Sequence, residues 1–208
     1  MNKKILITAF EPFGGETVNA SQEAVSALPD RIGDLELCKL TIPVVFGKAA
    51  QAVIDFTKDC PVDAVLCIGQ ASGRASVTPE MVAINLQYAS VPDNDGNCPK
   101  DEPIGDGREA YFSTMPIRRM AEAVKTEGIP CEVSYSAGTY VCNDTYYRLL
   151  SHFEGTKVKV GFIHVPATPE QGAPSLETGR AARALQSAVE ELMDSPYRLH
   201  QAQLGVGM

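Results

Sequence analysis

The chain has 208 residues, 44% of them hydrophobic, with a formal net charge of -8. That is long and apolar enough for one well-packed α/β domain over 1–208, and no shift in composition divides it. The acidic excess argues against nucleic acid as a partner, since phosphate binding needs clustered Lys and Arg, and no apolar run approaches membrane-spanning length.

At the N-terminus, Lys3-Lys4 before Ile5-Leu6-Ile7 imitates the start of a secretion signal, but Glu11 and Pro12 break the apolar run too early. A cytoplasmic protein is expected, in which the sequons at Asn19 and Asn143 have no consequence. Residues 3–8, 35–42, 63–69, 131–136 and 158–165 read as short strands rich in branched apolar residues. Helical patterns lie between them at about 20–28, 46–58, 116–127 and 140–154, with a last one near 176–193. This alternation implies a mainly parallel sheet covered on both faces, with function gathered at the carboxyl ends of its strands. Residues 81–88 alternate like a strand and suggest an antiparallel excursion beside the site. Residues 195–208 have little to bury and are expected to be mobile.

The six cysteines are irregularly spaced with no CxxC, so neither a zinc site nor a dithiol redox pair is written here. Cys38, Cys67 and Cys131 lie in strand-like apolar runs, where burial as a small hydrophobe is the default. Cys142 differs by position. It follows Ser136-Ala137-Gly138-Thr139-Tyr140-Val141 and falls in the first turn of a predicted helix, where peptide dipoles favour thiolate over thiol.

Of the three histidines, His152 is ten residues further along that helix, roughly 15 Å away, and His200 is in the tail. His164 remains, at the end of a strand-like run, as the base for a cysteine nucleophile. Such a base needs a carboxylate to fix its tautomer; Glu80 leads, and Asp93 competes although Pro92-Asp93-Asn94-Asp95-Gly96 reads first as a turn. Two other patterns fail on spacing or context. Gly69-Gln70-Ala71-Ser72-Gly73 is GxxSG where a serine elbow needs GxSxG, and Gly105-Asp106-Gly107 follows a turn where a dinucleotide fingerprint follows a strand. Phe10 and Phe13, beside Gly14-Gly15 at a strand end, suit an apolar ligand pocket as well as ordinary core.

Together, Leu6 to Gly15, Ile68-Gly69-Gln70, Gly73-Arg74, Thr78-Pro79-Glu80, Pro92-Asp93-Asn94, Ser136 to Asn143, Gly161 to Pro166 and Pro169-Glu170-Gln171 resemble the pyroglutamyl peptidase I, or pyrrolidone carboxyl peptidase, family of cysteine peptidases. The resemblance implies a three-layer α/β/α sandwich around a mainly parallel mixed sheet, no cofactor or metal, and a homo-oligomer, frequently a tetramer. It implies hydrolysis of the bond after an N-terminal pyroglutamyl residue of peptides. By motif, Cys142 would be the nucleophile, His164 its base and Glu80 the orienting carboxylate, with Phe10, Phe13 and Val141 as apolar walls and Gln70 bonding the lactam. One departure bears on activity: where the family usually has arginine, Ala89-Ser90-Val91-Pro92 has Ser90. This leaves a second expectation, a lactam-binding protein of the same fold with weak or no turnover, unless Arg74 compensates. Arg108 also stands where relatives commonly have proline, and the stretch from Pro169 to Pro174 is shorter than in many relatives.

Overall fold

The computed structural model describes residues 3–192. In chain order its elements are β1 (Lys3–Phe10), α1 (Ala20–Ser26), β2 (Arg31–Ile32), β3 (Leu35–Ile42), α2 (Lys48–Asp59), β4 (Ala64–Gln70), β5 (Thr78–Pro79), β6 (Val82–Ile84), β7 (Ala110–Phe112), α3 (Ile117–Thr126), α4 (Val141–His152), β8 (Lys159–Val165), a 3₁₀ turn (Pro169–Gln171) and α5 (Thr178–Glu190). The main sheet runs β2-β3-β1-β4-β8-β5. Its four long strands are parallel, while β2 and β5 pair antiparallel at the edges.

Burial explains the near-continuous apolar strands. β4 is buried along its whole length and β1 from Ile5 onward, because helices cover both faces. On one face Ile5, Ile7, Leu66, Ile68 and Val165 pack with α1, α3 and α5; on the other Leu6, Phe10, Val65, Cys67 and Phe162 pack with α2 and α4. The result is the three-layer α/β/α sandwich that the alternating pattern and the family resemblance imply. The apolar positions of α2 (Ala49, Ala50, Val53) and α3 (Ile117, Met120, Ala121, Val124) recur at helical spacing, which seats each helix along one stripe.

One predicted strand is absent. Residues 131–136 make only isolated bridges, Val77 with Cys131 and Glu80 with Ser134. The Glu132 N–H donates to the Val77 carbonyl, the Ser134 N–H to Pro79 and the Met81 N–H to Ser134, but Pro79 has no N–H to complete the ladder. The excursion over 81–88 is present in shorter form: only Val82–Ile84 forms a strand, β6, antiparallel to β7. The expectation for 195–208 concerns residues outside those described. Among the described residues no helix is long and apolar enough to cross a membrane.

Candidate active site

β1, β4 and β8 are adjacent and parallel, so their carboxyl ends converge on one edge of the sheet. Phe10 closes β1, Gln70 closes β4, and His164 is the penultimate residue of β8. The amino end of α4 meets that edge, with Cys142 as its second residue. Gly138, at φ 80°, takes the left-handed turn that swings the chain toward the helix, and the N-cap Tyr140 is extended and contributes no side-chain hydrogen bond. The first N–H groups of α4 therefore have no partner from within the helix.

A cavity of about 280 Å³ opens here, and Phe10, Phe13, Gln70, Val141, Cys142 and His164 all line it, with Asn19, Val44, Ala71, Ser72, Arg74, Ala137 and Tyr140. Phe13 and Phe46 both pack on the Tyr140 ring, and Phe162 lies between Phe10 and His164, so the walls are largely aromatic and aliphatic. Gln70 is committed more tightly than its sequence context suggests. Its Oε1 accepts the Ala20 N–H at 2.7 Å and its Nε2 donates to Ser72 Oγ at 3.0 Å. Only the second N–H of the amide remains for a ligand, which makes Gln70 a donor.

Glu80, fully buried, is the carboxylate at the histidine: Oε1 lies 2.7 Å from His164 Nδ1 and 2.7 Å from Arg74 Nη1. Asp93 is not part of this group. It accepts the N–H groups of Phe46, Asp95 and Asn97 and the Asn97 amide, as the turn reading of its segment implies. Burial pushes the Asp93 carboxyl up, but those accepted bonds outweigh it and hold it below its ordinary value. His152 is exposed at the far end of α4, and His200 lies outside the described residues.

Burial, more than any other influence, pushes the Cys142 thiol up to about 12; Glu80 and Cys67 act the same way and Arg74 opposes them. The peptide dipoles at the amino end of α4 act in the opposite direction, favouring the thiolate. The two rejected motifs stay rejected. Ser72 follows β4 in a turn with its hydroxyl bonded by Gln70, and strand β7, not a helix, follows Gly105-Asp106-Gly107. Both sequon asparagines are buried, Asn19 capping α1 and Asn143 bonding Ile84 and Leu86. Ser90 is exposed and Arg74 is the arginine that reaches the cavity. Asn19, Ser72 and Tyr140 were not foreseen as cavity residues; the helix-capping context of Asn19 is the one local signal that could have marked it. Among the described residues no group of three or more His, Cys, Asp or Glu side chains is placed to hold a metal ion.

A thiol at a helix amino end, sharing a cavity with an imidazole backed by a buried carboxylate, within an α/β/α sandwich, is the constellation of a cysteine hydrolase. The comparisons narrow that class: the family model for pyroglutamyl peptidase matches residues 3–195, and the chain belongs to that family. It is 46% identical over 201 residues to a pyrrolidone-carboxylate peptidase of Staphylococcus saprophyticus, covering 92% of this chain and 94% of the relative. A pyrrolidone-carboxylate peptidase of a Thermoanaerobacter species is 44% identical over 195 residues, covering 90% and 96%. The crystal structure of pyroglutamyl peptidase I from Bacillus amyloliquefaciens superimposes with a TM-score of 0.88 at 41% identity, over 91% of this chain and 96% of that one. For the pyrrolidone carboxyl peptidase of Thermococcus litoralis the values are 0.87 and 35%, over 92% and 94%.

Proposed function

We propose that the protein is a cysteine exopeptidase that releases N-terminal pyroglutamate from peptides. The observation that carries this reading is the cavity itself: about 280 Å³, walled by Phe10, Phe13 and Val141, with Cys142 and His164 on one lining. Pyroglutamate is a small neutral lactam without a free α-amine, so it needs an apolar slot with a few amide-reading bonds and no counter-charge for an ammonium. Gln70 supplies one such bond by donating its free N–H to the lactam carbonyl.

With Nδ1–H directed at Glu80, His164 keeps its Nε2 lone pair for the thiol. His164 takes the thiol proton as the sulfur attacks. The Cys142 sulfur bonds to the carbonyl carbon that joins pyroglutamate to the next residue, and the tetrahedral oxyanion takes N–H bonds from the first turn of α4. Collapse breaks the C–N bond, His164 returns the proton to the leaving amine, and a thioester remains. Water, deprotonated by His164, hydrolyses it to free pyroglutamate and the thiol. The lactam-binding alternative is not favoured, because the relatives are peptidases by name and Ser90 is exposed outside the cavity lining.

We further read the chain as cytoplasmic and as a homo-oligomer, a tetramer by family resemblance. Six free cysteines support a reducing compartment, and exposed Phe112 and Tyr135 give apolar surface for self-association. The decisive assay is release of a fluorescent amine from a pyroglutamyl amide beside a prolyl amide. Turnover of the first only, abolished by Cys142→Ser, is expected; no turnover by folded, reduced protein would refute the assignment.

A further inference from the structure

Among the described residues, Arg74 is the one permanently charged side chain on the cavity wall, with a third of its side-chain surface exposed. Its Nη1 donates to Thr78 Oγ1 at 2.6 Å and to Glu80 Oε1 at 2.7 Å, and its Nη2 to the Ser136 carbonyl at 3.2 Å. These acceptors belong to β5, to the residue that follows it, and to the loop that leads into α4. Glu80 meanwhile meets both Arg74 and His164 through Oε1, and among the described residues its buried Oε2 has no hydrogen-bond partner. A carboxylate withdrawn from water needs a compensating cation, and a neutral imidazole is not one. A guanidinium fork bonds in several fixed directions at once, which a lysine ammonium on a flexible stem does not.

We propose that Arg74 is a positioning residue of the reaction: it locks the Glu80–His164 pair to the loop that leads to Cys142, and it sets a fixed positive charge in the cavity that holds that thiol. This rests on the roles given to Cys142, His164 and Glu80. Five groups bear on the thiol. Glu80 and Cys67 disfavour its ionisation and Arg74 favours it, while His164 and Tyr140 share its cavity. Removing the guanidinium takes away the permanent cation and the link between the loops in one step.

The test compares Arg74→Met and Arg74→Lys with the parent protein in three measurements: kcat and KM on a pyroglutamyl amide, the rate of Cys142 alkylation by iodoacetamide from pH 6 to 9.5 followed by peptide mapping, and thermal melting. For Arg74→Met, kcat is expected to fall about 100-fold with KM changed less than about threefold. Its alkylation at pH 7 falls about tenfold, its curve moving about one unit to higher pH. Arg74→Lys regains the alkylation rate because the charge remains, but not kcat, because the fork is gone. An Arg74→Met protein with the parent's alkylation curve, or with the parent's kcat, overturns the proposal. Should that variant fail to fold, Arg74→Lys decides: parental kcat overturns the proposal, and a tenfold or larger loss of kcat with a parental alkylation curve supports it. If the parent protein does not cleave the pyroglutamyl amide, the peptidase reading fails, and the alkylation comparison still judges the charge of Arg74 separately.

Discussion

Glu80 bonds His164 through one oxygen and lies behind the cavity wall instead of on it. In the proposed reaction its charge stabilises the imidazolium that forms, while its side chain does not line the cavity. Glu80→Gln is therefore expected to lower kcat about 10²- to 10⁴-fold while leaving KM nearly unchanged, as steady-state kinetics on a pyroglutamyl amide will read. Cys142 allows a second prediction. With its thiol pushed up to about 12, the thiolate fraction rises about tenfold per pH unit throughout the neutral range. Alkylation of the resting protein by iodoacetamide should climb steadily from pH 7 to 9; a plateau below pH 8 would reveal a preformed thiolate. Cys142, His164 and Glu80 were legible as candidates before the fold from the first turn of a predicted helix, the end of a strand-like run and a loop after an apolar strand, respectively. The upward push on the thiol was not, since desolvation and the nearby Glu80 and Cys67 are properties of the assembled site.

Elements place these side chains with little slack. Gly69 of β4 is register partner to His164 of β8, and a Cβ on it would sit 2.9 Å from Phe162 ring carbons and 3.0 Å from His164 Cδ2. Gly69→Ala must displace one of those rings, so its kcat should fall at least about tenfold, while the melt shows a loss of about 1–3 kcal/mol for overpacking. At the start of α4, buried Asn143 accepts the Ile84 N–H at 3.0 Å and donates to the carbonyls of Ile84 and Leu86 at 2.9 Å each. It ties the helix turn of Cys142 to β6 and the residues after it. Asn143→Ala leaves those groups unsatisfied and should cost about 1–3 kcal/mol in denaturant unfolding, with a loss of kcat that Asn143→Asp does not fully restore. Long elements were readable from apolar periodicity. β2 and β5 were not, because two residues carry no period, and the strand pattern of 131–136 did not reveal that the missing N–H of Pro79 would interrupt its pairing.

At the scale of the whole molecule, buried neutral acids make alkaline pH the weak side of the fold. Burial pushes the thiols of Cys67, Cys131 and Cys142 up to about 12 and raises the Tyr146 phenol. Between roughly pH 8.5, where unfolded thiols ionise, and those folded values, the native state binds more protons than the unfolded chain, so stability falls as pH rises. The melting temperature should decline from about pH 8.5 upward, and Cys67→Ala should flatten that decline in a calorimetric series. The amino-acid sequence by itself determined the layered α/β/α class, the order of the long strands and helices, and the candidate nucleophile, base and carboxylate. Those follow from local periodicity and from the few residue types able to do acyl-transfer chemistry. Only the tertiary structure decided that Arg74 joins Glu80 to the loop that leads into α4, that Gln70 is left with one N–H to give, that Asp93 serves a turn, and that burial pushes the Cys142 thiol up. Each depends on distances between segments far apart in the chain and on water excluded once they pack, and neither quantity is encoded in any local pattern.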